Sequence, residues 1–143
     1  MKIRIKRFDK KLPLPEHKTK LAAAFDLYAR TEVLIKSKSI GYVPLNVAIE
    51  TPKGHFLLLA ARSSTHKKGL MIANGIGVID PDFSGDGDES QAIMYNFTNK
   101  SIRVEKGDRI MQGMFVKKEN FLWNEVKKMG NITRGGIGST GRK

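Results

Sequence analysis

Alternation of apolar and polar positions recurs along the chain. Ile3 and Ile5 lie between Lys2, Arg4 and Lys6, while Val43, Leu45, Val47 and Ile49 follow the same period, as do Ile110, Gln112, Met114 and Val116. A period of two sends successive side chains to opposite faces of a pleated strand, so each stretch predicts a β-strand. The apolar runs at 56–61 and 91–97 predict strands buried on both faces. Turn residues recur at short intervals, at Pro52-Lys53-Gly54, Asn99-Lys100 and Lys106-Gly107-Asp108. No segment of ten residues or more carries a helical stripe. Many short strands with short connections predict an all-β sandwich, jelly roll or barrel.

Residues 129–143 break this pattern: they hold five glycines and little that could pack, which predicts a flexible Gly-rich tail behind a β domain at 1–128. The order Arg134, Gly135, Gly136, Gly138, Ser139, Thr140 and Gly141 nevertheless offers backbone N–H groups, a guanidinium and two hydroxyls, donors suited to wrapping a phosphate chain.

Composition narrows the chemistry. The 143 residues suit one domain, and the absence of Cys excludes disulfides and thiolate chemistry. A net charge of +12 attracts polyanions without choosing among nucleic acid, nucleotides and anionic membrane surfaces. Lysine pairs scattered at 10–11, 67–68, 117–118 and 127–128 also fit an ordinary solvated surface. Neither a signal peptide nor a membrane-spanning run is legible, so a soluble, cytoplasmic protein is expected.

Four further islands place polar groups where a turn alone would not need them: AAFDLYA (23–29), ARSSTHKKG (61–69), NGIGVIDPDFSG (74–85) and GDRIMQG (107–113). Asp26 is a carboxylate in an apolar strand, costly unless it is ion-paired or near a metal. Arg62, Ser63 and Ser64 follow a buried run with a fork of donors and two hydroxyls, suited to phosphate oxygens. Asp80 ends an apolar strand, where it could serve as a catalytic carboxylate or cap a turn. Gln112 shares a predicted strand face with Ile110 and Met114, where an amide needs a partner or a ligand.

In this order, the islands and the tail resemble the five motifs of the homotrimeric dUTP pyrophosphatase (dUTPase) family, from about Ala23 to Gly141. The resemblance implies a jelly-roll subunit and a homotrimer whose active sites each draw on all three chains. Motifs one, two and four would come from one subunit, motif three from a second, and the fifth-motif tail, as a mobile lid, from the third. The implied reaction is Mg²⁺-dependent hydrolysis of dUTP to dUMP and pyrophosphate, by water attack at the α-phosphorus.

By that resemblance Asp80 is the general base and also touches the sugar 3′-hydroxyl. Ser63, Ser64, Gln112, Arg134, Gly138, Ser139 and Thr140 would bind the phosphates, and Arg62 would fix them or orient the site. Asp26 would reach Mg²⁺ through water. The hairpin around Asn74, Gly77 and Val78 would read uracil, and Phe83, where the family usually has Tyr, would pack against deoxyribose and exclude a 2′-hydroxyl. Ile137 stands where an aromatic commonly stacks over the base, and the tail is short between Arg134 and Ile137. His17, His55 and His66 are too separated for a metal site.

Asp86, Asp88 and Glu89 form a small acidic insertion, read as a hairpin tip in preference to a cation site. The related dCTP deaminases share ARSS and the IDPxFSG pattern but need a glutamate where this chain has Ile93. A regulatory role, binding a repressor protein or nucleic acid, is the non-enzymatic alternative, and nothing in the sequence supports such a partner directly.

Overall fold

The computed structural model describes residues 2–141. Among these described residues eleven strands follow in chain order. They are β1 (Ile5–Arg7), β2 (Phe25–Tyr28), β3 (Val33–Ile35), β4 (Ile40–Pro44), β5 (Val47–Ile49), β6 (His55–Ala61), β7 (Leu70–Ile72), β8 (Gly77–Ile79), β9 (Gln91–Asn96), β10 (Ile102–Val104) and β11 (Arg109–Lys117). One 3₁₀ turn, Thr65–Lys68, interrupts them between β6 and β7. It ends at Gly69, whose φ of +79° and lack of a Cβ are both required, because a Cβ there would fall 2.3 Å from Thr98 Cγ2. Among the described residues no helix is long and apolar enough to cross a membrane.

The strands form a four-stranded sheet ordered β2-β11-β6-β8, a three-stranded sheet β4-β9-β7, and the two-stranded pairs β1-β5 and β10-β3. Every pairing is antiparallel. Leu27, Leu57, Leu59 and Met111 of the larger sheet and Val43, Leu70, Ala92 and Met94 of the smaller one belong to a single buried core. The fold is all-β and jelly-roll-like, and burial of these side chains, at ~1.5–3 kcal/mol for each large one, is its main source of stability.

Three local readings change. The alternation through Val43, Leu45, Val47 and Ile49 is two strands rather than one, broken at Asn46, whose φ is +69°. Asn46 carries this left-handed conformation because its buried amide is bonded at both ends: Oδ1 accepts from Asp9 N–H at 2.6 Å and Nδ2 donates to Asp9 O at 3.0 Å. Secondly, β6 and β9 alternate in burial, with Leu57, Leu59, Ala92 and Met94 inside and Leu58, Ile93 and Tyr95 only half-buried, so a single chain covers one face of each. Thirdly, a bulge between Arg109 and Met111 lets both Ile110 and Met111 reach the core, so regular alternation through Gln112 starts only at Met111.

The acidic insertion is anchored. Glu89 takes a two-pronged pair of hydrogen bonds from Arg30, at 2.7 and 2.9 Å, and a third from Asn46 N–H at 2.9 Å. The hydrogen bond between Arg30 and Glu89 raises the Arg30 guanidinium above its ordinary pKa. Asp88 accepts from Gly85 N–H, and Asp86 pairs with Lys6. Only Asp86 fits an exposed tip; Glu89 is a structural anchor. Glu89→Ala should cost about 2–3 kcal/mol, since it strands a buried N–H and a half-buried guanidinium together. A thermal melt checks this, with Glu89→Gln expected to lose about half as much.

Candidate active site

Cross-strand register assembles one half of the site. In the β2–β11 ladder Asp26 lies directly opposite Gln112, and Gln112 in turn lies opposite Ala60 of β6. Neighbours across a ladder share a face, so a carboxylate and an amide meet on one surface of the larger sheet. Gln112 Nε2 donates to Ala61 O at 2.9 Å, which holds the amide against the end of β6. Arg62 and Ser63 follow that end, and Ser64 precedes the 3₁₀ turn with no side-chain capping bond, so its hydroxyl is not committed to the helix.

Asp26 is 8% exposed, and its charge is met twice. Arg62 Nε donates to Oδ1 at 2.8 Å and Arg109 Nη1 to Oδ2 at 3.2 Å. Arg62 also donates to Arg109 O at 3.2 Å, so the three side chains form one braced unit. A cavity of about 180 Å³ opens beside it, lined by Lys18, Thr19, Asp26, Arg62, Ser63, Arg109 and Gln112 among others. Its wall is cationic and rich in N–H and O–H donors, the chemistry of a polyphosphate site. Arg109, Lys18 and Thr19 had no role in the sequence reading. Arg109 stands in the GDRIMQ motif, and the need of Asp26 for a partner was the signal that could have found it.

Lys18 is paired with Glu16, which also accepts from Tyr28 Oη at 3.3 Å. The hydrogen bond from Lys18 lowers the Glu16 carboxyl below its usual range, and the same bond raises the Lys18 ammonium. Among the described residues no group of three or more His, Cys, Asp or Glu could hold a metal ion. The cavity wall carries the carboxylate of Asp26, both of whose oxygens are bonded to arginines.

The other predicted residues lie elsewhere. Gly77 and Val78 are in β8, at the sheet edge opposite β2, with Ile79 facing Leu57 in β6. Asp80 comes next and is exposed, and among the described residues its carboxylate has no ion-pair partner. Arg62 lies at the far end of the seven-residue β6. At ~3.3 Å per residue, the two positions are about 20 Å apart along the strand. Asn74 and Phe83 flank β8 and are exposed. The last strand ends at Lys117, and all of 118–141 is exposed and strandless, including Arg134, Ile137, Gly138, Ser139 and Thr140. One chain thus unites Asp26, Arg62, Ser63 and Gln112 but not Asp80, the hairpin or the tail.

The family model described as dUTPase matches residues 10–141. A deoxyuridine 5′-triphosphate nucleotidohydrolase of Dictyoglomus turgidum is 34% identical over 99% of this chain and 99% of its own length. The crystal structure of dUTPase from Streptococcus mutans superposes with a TM-score of 0.76 at 30% identity, covering 83% of this chain and 98% of that one. A Staphylococcus bacteriophage 80alpha dUTPase solved with dUpNHpp gives a TM-score of 0.85 at 22% identity over 98% of each chain, a likeness of fold. With its fold, its ordered motifs and a match spanning nearly its whole length, the chain belongs to the dUTPase family.

Proposed function

We propose that the protein hydrolyses dUTP to dUMP and pyrophosphate, in a homotrimer whose active sites are shared between chains. The observation that carries this reading is the split of the site: a donor-rich cavity at Arg62 and the exposed Asp80, which has no ion-pair partner among the described residues, stand about 20 Å apart along the direction of β6. A second chain would bring its Asp80 to the first chain's cavity. Apolar surface supports such assembly. Ile40 faces Tyr95 and Tyr42 faces Ile93 on the outer side of the smaller sheet, while Met71 extends the same row. Ile40, Tyr42 and Met71 are each about half-exposed or more, an apolar face that water leaves uncovered at a cost. Ile93 belongs to this face, so the deaminase reading gains no carboxylate there.

In this account Ser63, Gln112, Arg62 and Arg109 hold the triphosphate, and Asp80 of a neighbouring chain takes the proton from the attacking water. Magnesium, bound through the phosphates with Asp26 at its water shell, would supply neutralisation of the pyrophosphate leaving group. The free edge of β8, with Asn74, Gly77 and Val78, would pair with uracil and leave no room for a 5-methyl group. Phe83 would keep the ring that excludes a 2′-hydroxyl. The tail of a third chain, through Arg134, Gly138, Ser139 and Thr140, would close over the phosphates.

Ile137 in that tail offers an aliphatic face to the base. Replacing it with Phe should add stacking worth ~1 kcal/mol and lower KM for dUTP about fivefold, measured by steady-state kinetics. The function itself is tested by pyrophosphate release with Mg²⁺ from dUTP, dTTP, UTP and dCTP. Turnover confined to dUTP supports the proposal, whereas silence with dUTP, or ammonia release from dCTP, overturns it.

A further inference from the structure

Lys18 lies outside the five motifs, yet it lines the cavity that holds Ser63 and Gln112. It also lines an adjoining cavity of about 520 Å³ with Arg62, Lys68, Asp108 and Arg109. Its position is fixed from the sheet, because Asp26 N–H donates to Glu16 O at 3.1 Å and so ties residues 16–18 beside β2. We propose that Lys18 is a further substrate-binding residue, which leaves Glu16 to take hold of the polyphosphate when a nucleotide enters.

The charges around the first cavity point this way. Three cations line it, Lys18, Arg62 and Arg109, against the single carboxylate of Asp26. The two arginines are held in place, since each gives one N–H to the Asp26 side chain, which is only 10% exposed, and they meet a phosphate with their remaining donors. Lys18 is differently placed. Its partner Glu16 lies outside that cavity, and their side chains are 42% and 53% exposed. An exposed lysine–carboxylate pair is worth little in water and exchanges readily. A multiply charged phosphate offers a stronger acceptor, and the flexible lysine stem can carry its three donors across. The neighbouring Thr19 adds a hydroxyl to the same wall. Glu16 then acts as a resting partner that keeps the ammonium at the rim.

This inference rests on the nucleotide reading of the cavity, so the first measurement is dUTP turnover by the parent protein. Absence of turnover contradicts that reading. Turnover in the parent with Lys18→Ala behaving like it contradicts only the role of Lys18. The decisive experiment is calorimetric titration with dUpNHpp and with dUMP. Lys18→Ala should weaken dUpNHpp about tenfold, the loss of one hydrogen-bonded charge, and leave dUMP within about twofold. Lys18→Arg, which keeps the charge, should recover most of the affinity. Glu16→Gln should tighten dUpNHpp about twofold to threefold when Lys18 is present and leave it unchanged in the Lys18→Ala background. Unchanged dUpNHpp binding in Lys18→Ala, equal losses for both ligands, or a Glu16→Gln effect independent of Lys18 would each overturn the proposal.

Discussion

Exchanging Asp80 for Asn should lower kcat for dUTP by about 10²–10⁴-fold, the range expected for removing a positioned general base. KM should change far less, because the donors proposed to hold the phosphates sit on other residues. The protein should fold as before. Asp80 is exposed and has no ion-pair partner among the described residues, so an isosteric amide removes basicity without removing packing. Steady-state pyrophosphate release, with a thermal melt alongside, separates these effects. A loss of kcat accompanied by a large drop in Tm would indicate a structural role, and a kcat within about threefold of the parent would remove Asp80 from the chemistry.

The second large effect is expected at Asp26. Asp26→Ala leaves Arg62 and Arg109 side by side without the carboxylate that neutralises both. Breaking a well-buried pair in this way costs ~3–5 kcal/mol. Here Arg109 is 43% exposed and Arg62 24%, so water recovers part of that, and about 2–3 kcal/mol is the expected loss. For a chain of this size that corresponds to a fall in Tm of roughly 10 °C. Activity should fall further than stability accounts for, because the two guanidiniums lose the brace that aims them at the cavity. Asp26→Asn keeps one acceptor and should recover about half the stability with little of the activity. Full activity in Asp26→Ala at a temperature where it is folded would show that the arginines need no such brace.

Part of this arrangement is legible in the sequence because a strand's period of two is a geometric necessity: the alternation through Met114 and Val116 falls in β11, and the apolar run at 56–61 falls in β6, although only one face of that run is buried. The breaks are harder to read. Asn46 ends a strand in the middle of a faultless alternation, and only its amide's bonds to Asp9 explain why that position, rather than a neighbouring one, turns left-handed. The bulge before Met111 has no sequence marker, since Ile110 and Met111 are both apolar and either could face inward. Glu89 looks like part of a solvated tip because its partner Arg30 is 59 residues away, and long-range ion pairs leave no local trace.

The site shows the same division. Polar residues stranded in apolar runs, such as Asp26 and Gln112, announce themselves by the cost of burying them. Lys18 does not, because an exposed lysine is ordinary in a chain of net charge +12, and its nearness to Ser63 arises only when residues 16–18 are laid beside β2. The separation of Asp80 from the phosphate cavity is likewise invisible in a linear list of motifs. It follows from β8 and β2 occupying opposite edges of one sheet.

The claim that catalysis needs two chains is tested most directly by mixing two disabled variants, Asp80→Asn and Gln112→Glu. The second places a carboxylate against the polyphosphate and should be nearly inactive alone. If Asp80 and Gln112 come from different chains, random co-assembly from an equimolar refolded mixture gives about a quarter of the sites both native residues. Recovery of dUTP turnover to about a quarter of the parent rate is the predicted result. A mixture no more active than the sum of its parts would mean that both residues act from one chain, and would contradict the divided site.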